Sequence, residues 1–551
     1  MGVWAEQVFE RLTLEERVGQ LICYRASKWA DETVEMAAEG LVGCVSPIYY
    51  QDMKDLDNII GFMNMLQSAS PTPVLFISSH ACSMRQWGTT PFPDEGGSML
   101  FGAAGDPDLA YECGRMASLE SKAVGFDCVW TPVVDVNTNP RNPIIGTRAF
   151  SDRPELVTEM ALAMVKGMQE AGVVPNAKHF PGHGDTDFDT HRKIGMVPHD
   201  RARLDAVELY PYRELIKAGL RGVETAHIVF PALDDTPDLP ATFSRKAIYD
   251  LLRKEMGFEG LIVSDSLTMK AIKDHYTVAE AVIQTFNSGH DIILQDYNEP
   301  PRPTFDAMLA AVKDGTIPED ELNASVMRVL EAKEWVGLAV RGPIHSEEIR
   351  QVFNCEEHAA ACTRIYEASV TVLENEALPL ASGEQSLCVI GTRAEEERKG
   401  MTDFAMTIEN SRDILFREAG ARCPGAVTHV LDEDPSQEEV DAAIQAAQDS
   451  DTVIFATFPR IVSYKELSGR VGAGQVETVQ KLLALRKRVV VCVFGTPYVV
   501  TDFPQTQGCL TTYASTGAAV EAGVKALFGE ITTKGKLPVT LSDRYAFGYG
   551  L

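Results

Sequence analysis

The sequence predicts an α/β protein: its first part is a (β/α)8 barrel or a large doubly wound sheet, and its last part a smaller α/β domain of open-sheet type. Three observations predict this. Short apolar, β-rich runs alternate with helical patterns about eight times. Several of those runs end in polar or ionisable residues, as barrel strands do at a catalytic mouth. Near residue 340 the alternation stops, and a second α/β series follows. The boundaries expected are a barrel domain at 1–340, a helical linker at 341–375 and a C-terminal domain at 376–551.

The first series runs through "VGQLICY" from Val18, "GLVGCVSPIY" from Gly40, "PVLFIS" from Pro73 and "DCVWTPVVDV" from Asp127. It continues through "GVVPNAKHF" from Gly172, "GVETAHIVF" from Gly222, "GLIVSDS" from Gly260 and "HDIILQD" from His290. The polar residues that end these runs are Asp135, Lys178, His179, His227, Asp265 and Asp296. From His345, "HSEEIRQVFNCEEHAAACTRIYEASVTVL" reads as a helix leading out of the barrel. The second series is "SLCVIG", "DTVIFATF", "RVVVCVFG" and "GCLTTYA". Between its members, "GRVGAGQ" at 469–475 lacks the Gly-Lys-Ser/Thr of a phosphate loop and does not directly follow a strand, so it reads as a turn before the helix "VETVQKLLALR".

Length and composition narrow the function. At 551 residues, with 45% hydrophobic and 23% charged residues, the chain has the profile of a globular protein with ample core. Fifty Lys and Arg against 79 Asp and Glu leave a formal charge of −29, which repels nucleic-acid phosphates and anionic lipid surfaces. The first residues lack the basic end and apolar run of a signal peptide, and no stretch approaches a transmembrane length. Eleven scattered cysteines without any C-x-x-C point to reduced thiols in a cytoplasmic protein. The partner expected is a small molecule, with no nucleic acid and no membrane.

Residues 179–191, "HFPGHGDTDFDTH", place three histidines and three aspartates within thirteen positions. Asp185, Asp187 and Asp189 imitate the start of an EF-hand loop, but Thr190 and Met196 stand where that loop needs Gly and Glu. His179 and His183 are four apart across Pro-Gly, which breaks the helix an H-E-x-x-H zinc site requires. No metal is expected. Elsewhere, Asp265 ends the apolar run "LIV" between Ser264 and Ser266, where a carboxylate can stay ionised and fixed; it could equally cap a following helix.

The motifs "KHFPGHGDTDFDTH", "DVNTNPRNPIIGTRAF", "GLIVSDSLTMKAI", "LENEALPL" and "ALFGEITTKGKLPVTL" together resemble glycoside hydrolase family 3, in its β-N-acetylglucosaminidase branch. The resemblance runs from about Leu14 to the C-terminus and implies a (β/α)8 barrel carrying catalysis, followed by an α/β sandwich domain. It further implies that Asp265 is the nucleophile of a retaining mechanism and that His191 is the general acid/base, with Asp189 as its partner. Lys178, His179 and Arg148 match sugar-hydroxyl binders, and no cofactor is implied. His183 and Asp185 fit loop-shaping roles; Asp135, Arg141 and His227 fit supporting ones.

One element departs from the pattern. Where the family has Asp-x-Glu-Gly-Gly-Arg, this chain has "ISSHACSMR", with His80 at the Asp position and Asp94 and Glu95 as nearby acids that could compensate. The leading expectation is an exo-β-N-acetylhexosaminidase. A phosphorylase that passes the sugar to phosphate is the enzymatic alternative, since a histidine acid does not repel an anionic acceptor. A sugar-binding protein is the alternative of another class.

Overall fold

The computed structural model describes residues 2–25, 29–47, 55–79, 83, 87–93, 96–189, 194–267, 269–295, 298–383, 386–394, 410–463, 465 and 468–551. The chain divides into two compact units. The first comprises Met1–Phe92, Ala110–Val136 and Val157–His358; the second comprises Pro93–Leu109, Asn137–Leu156 and Ala359–Leu551.

The first unit contains β1 Ile22–Arg25, β2 Cys44–Ser46, β3 Leu75–Ser78, β4 Cys128–Val129, β5 Val174–Pro175 and β6 Ala177–Phe180. It continues with β7 Gly195–Met196, β8 Gly222–Thr225, β9 Ile228–Val229, β10 Leu261–Val263 and β11 Ile293–Leu294. One parallel sheet has the order β11-β1-β2-β3-β4-β5 and a second the order β10-β8-β6. Only Asn176 separates β5 from β6, and a parallel bridge from Val263 to Ile292 joins β10 to the start of β11. The circuit therefore closes into the expected (β/α)8 barrel, and each of the eight sequence runs supplies a stave. Strands covered on both faces need near-continuous apolar sequence, which is why β1, β2 and β3 are buried almost throughout.

The surrounding helices follow the same logic. In Leu56–Ala69 the buried residues Leu56, Ile59, Ile60, Met63 and Leu66 recur at spacings of three and four, one face of a helix. Val278–Ser288 begins with a capping box between Thr277 and Glu280 and ends at Gly289, whose φ of 118° suits only glycine.

The second unit holds β12 Thr371–Glu374, β13 Leu387–Arg393, β14 Val427–Asp432, β15 Thr452–Thr457, β16 Arg488–Val493 and β17 Gly508–Thr511, in the order β12-β17-β16-β15-β13-β14. All neighbours are parallel except β12 with β17. Helices Ser411–Arg422 and Gly517–Leu527 pack together, as do Gln437–Ala446 and Ala473–Ala484, and this completes an α/β sandwich. Two strands were not among the four sequence runs. β14 is an edge strand whose first half is largely exposed, and β12 is the "TVL" expected to end a helix. The single helix expected from His345 is two, Ser346–Val352 and Glu356–Ser369. The "GRVGAGQ" turn is shorter than expected, because its helix already begins at Ala473. No helix among the described residues is long and apolar enough to cross a membrane.

Candidate active site

The C-terminal ends of β6, β8 and β10 gather polar side chains that the surrounding core would otherwise exclude. Lys178 and His179 lie inside β6, which is buried along its whole length. Lys178 finds its counter-charge on the adjacent strand, with Nζ 3.6 Å from Glu224 Oε2 and both side chains 6% exposed. Burying either charge alone would cost several kcal/mol, so the pair holds Lys178 in place as an ammonium.

His179 is fixed by Asp135, which follows β4 and has no exposed side-chain surface. Asp135 Oδ1 accepts the backbone N–H of His179 at 3.2 Å and of His183 at 2.7 Å, while Oδ2 lies 2.7 Å from His179 Nδ1. An ionised carboxylate only accepts, so Nδ1 carries the proton. The His183 ring meets that of His179 edge to face at 5.5 Å, and its own Nδ1 lies 2.8 Å from Thr186 Oγ1. Tyr212 packs edge-on against Phe180; burial first, then the Asp135 and Glu224 charges, push its phenol well above the ordinary value.

The loop after β6 is anchored at both ends. On the leading side Asp185 Oδ2 lies 2.6 Å from His199 Nε2, and Asp189 is buried. On the returning side β7 pairs in parallel with β9. His191 lies outside the described residues, as do His80, Asp94, Glu95 and Asp296. Arg148 closes the short helical turn Gly146–Arg148 in the second unit, where its Nη1 donates to Ile144 O at 3.1 Å.

Asp265 stands two residues beyond β10. It does not cap the next helix, which begins at Lys270 with Met269 as N-cap. Instead its Oδ1 accepts the N–H of Ser266 at 2.6 Å. Its two neighbours are tied to the flanking strands: Ser264 Oγ accepts Leu294 N–H at 2.9 Å, and Ser266 O lies 3.0 Å from His227 Nε2. Below this layer His290 accepts from Thr225 Oγ1 at 2.9 Å, and burial pushes its ring down to about 4, so it stays neutral.

The structure thus brings His179, Asp135 and His183 into one hydrogen-bonded cluster, pairs the neighbouring Lys178 with Glu224, and sets Asp265 two strands away on the same side of the barrel. Sequence reasoning missed Glu224. Its signal was an acid within "GVETAH", a strand otherwise apolar enough to be buried, next to a strand carrying a lysine.

The glycosyl hydrolase family 3 N-terminal domain matches residues 13–332, and the family 3 C-terminal domain matches residues 370–546. A β-hexosaminidase A of Pseudoalteromonas piscicida is 34% identical over 316 residues, covering 52% of this chain and 52% of that protein. A β-N-acetylglucosaminidase/β-glucosidase of Cellulomonas fimi is 26% identical, covering 97% of this chain and 95% of that protein. The chain thus spans about half the length of the curated β-hexosaminidases it matches and nearly all of the Cellulomonas protein. Among solved structures, a family 3 β-N-acetylglucosaminidase from Paenibacillus sp. str. FPU-7 superposes with a TM-score of 0.82 at 28% identity, over 96% of this chain and 99% of that one. With its barrel, its sandwich domain and both domain matches in the same order, the chain belongs to glycosyl hydrolase family 3.

Proposed function

We propose that the protein is a retaining exo-β-N-acetylhexosaminidase that releases terminal β-linked N-acetylglucosamine. Asp265 attacks the anomeric carbon as His191, oriented by Asp189, protonates the departing oxygen. The glycosyl ester on Asp265 is then cleaved by a water whose proton His191 withdraws. Lys178 and His179, with Arg148 and His80, bind sugar hydroxyls. Besides the substrate and that water, the two steps call on side chains of this chain.

The observation that carries this reading is the setting of Asp265. It is an ionisable side chain just past a barrel strand, its neighbours hydrogen-bonded to the strands on either side, within a mouth that also holds Lys178 and His179. The names of the Pseudoalteromonas, Cellulomonas and Paenibacillus relatives support the substrate class. A reducing, cytoplasmic setting is supported by ten free cysteines among the described residues, all but Cys355 buried.

A panel of aryl β-glycosides assayed with and without millimolar phosphate tests the proposal. The expected result is preferred cleavage of the N-acetylglucosaminide, with free sugar as product at a rate indifferent to phosphate. A sugar 1-phosphate as main product would make the enzyme a phosphorylase, and no turnover of any glycoside would leave a sugar-binding protein.

A further inference from the structure

We infer that His227 is a positioning residue for Asp265, acting through the carbonyl of Ser266; this rests on the reading of Asp265 as nucleophile. His227 follows β8, has no exposed surface, and makes two ring contacts, Nδ1 to Thr242 Oγ1 at 2.9 Å and Nε2 to Ser266 O at 3.0 Å. A carbonyl oxygen only accepts, so Nε2 carries a proton. In the neutral ring Nδ1 then accepts from the Thr242 hydroxyl. If Nδ1 also gains a proton, the hydroxyl turns to the Ala226 carbonyl, 2.9 Å away, and accepts from the ring instead. The Nε2–H to Ser266 bond is present in both states, so the hold on Ser266 does not depend on the charge of His227.

The hold matters because Ser266 joins two peptide units, one on each side of its Cα. Its N–H is donated to the Asp265 carboxylate at 2.6 Å, and its carbonyl is gripped by His227 and by the Met269 N–H at 3.2 Å. On the β11 side the same loop is tied by Ser264 N to Ile292 O at 3.0 Å, Leu294 N to Ser264 Oγ at 2.9 Å and Leu267 N to Leu294 O at 3.2 Å. On the β8 side His227 supplies the tie. Releasing it frees the Ser266 backbone to turn about its Cα, and a turn that shifts the Ser266 N–H shifts the carboxylate it holds. Misplacing a reacting atom by an ångström costs on the order of 10²-fold in rate.

The test compares His227→Asn with His227→Gln, using the rate at which a 2-fluoro glycosyl donor labels Asp265. The amide of Gln reaches the Nε2 position and keeps a donor for Ser266, whereas that of Asn reaches only the Nδ1 position. Labelling should slow roughly 10- to 100-fold in H227N, with donor binding changed less than about threefold and the melting temperature close to wild type. H227Q should recover most of the rate. Wild-type speed in H227N, or equal losses in the two variants, would overturn the positioning role alone. A wild-type protein that carries no label on Asp265 would remove the nucleophile reading, and His227's role with it. The 15N-histidine spectrum of the wild-type protein decides the geometry without turnover or mutation: Nε2 is protonated, and a bare Nε2 would contradict the inference.

Discussion

Asp135 holds His179 twice, through its ring at 2.7 Å and its backbone N–H at 3.2 Å, and with the same carboxylate receives the N–H of His183 at 2.7 Å. One fully buried acid therefore sets both the path of the chain after β6 and the proton position on the His179 ring. Asp135→Ala leaves these donors without an acceptor inside the core, at a cost on the order of 3 kcal/mol, read as a lowered midpoint of urea unfolding. Asp135→Asn keeps one oxygen for the two amides but presents an N–H₂ group to Nδ1. We expect that variant to fold with a smaller loss and to lose at least about tenfold in kcat/KM, since the ring must change tautomer.

Acid should weaken the barrel through His290. Burial lowers its ring from an ordinary 6.5 to about 4. The unfolded chain therefore takes up a proton near pH 6.5 that the folded protein refuses until about pH 4. Stability from this group is complete above about pH 6.5 and is lost as the pH falls toward 4, on the order of 3 kcal/mol in all. Urea unfolding of His290→Gln at pH 7 and pH 5 checks it: the variant should lose less on acidification than the wild-type protein does.

A second buried group closes the barrel seam. Asp291 accepts from Arg253 at 2.6 Å, Arg328 at 2.7 Å, Ser325 at 2.9 Å and the Ile262 N–H at 2.9 Å, joining β10, the start of β11 and two outer helices. Burial works to raise its carboxyl, but Arg253 and Arg328 outweigh it and leave it lowered. Its contribution is therefore present at neutral pH and is lost only as the pH falls through the lowered value. Asp291→Ala strands two guanidinium groups beside β10 and should cost about 3–5 kcal/mol, visible in thermal unfolding at pH 7.

Gly195 offers a way to disturb the loop carrying Asp189 without touching its acids. A Cβ at Gly195 would fall inside the ring of Phe188, the residue directly before Asp189. Gly195→Ala must displace that ring. We expect kcat to fall at least about tenfold, by the sensitivity of a reacting geometry to small displacements, with KM and the melting temperature little changed. Unaltered kcat would show that Phe188 moves without carrying Asp189 with it.

Much of the barrel was legible because its signal is local. Each of the eight apolar runs supplied a barrel strand, and Lys178, His179, His227 and Asp265 lie within or just beyond the C-terminal ends of theirs. β14 was not legible, since a solvent-facing edge strand such as "VTHVLD" needs no apolar pattern. β12 escaped because its Val372 and Leu373 continue a helical run without a break. At the site, Lys178, His179 and Asp265 stood out as charges ending buried strands. Glu224 and Thr242 did not, because what gives them meaning is a partner on a neighbouring strand or turn, and pairing across strands is not written in spacing along the chain. His227 was visible as a strand-end histidine, but its bond to Ser266 follows only from the fold.

The most direct measurement is mass analysis of peptides from the wild-type protein after reaction with a 2-fluoro glycosyl donor bearing a good leaving group. The covalent mechanism predicts one added sugar, on the peptide containing Asp265, and its absence together with loss of turnover in a folded Asp265→Ala variant. Label on any other carboxylate, or full activity in Asp265→Ala, would contradict it.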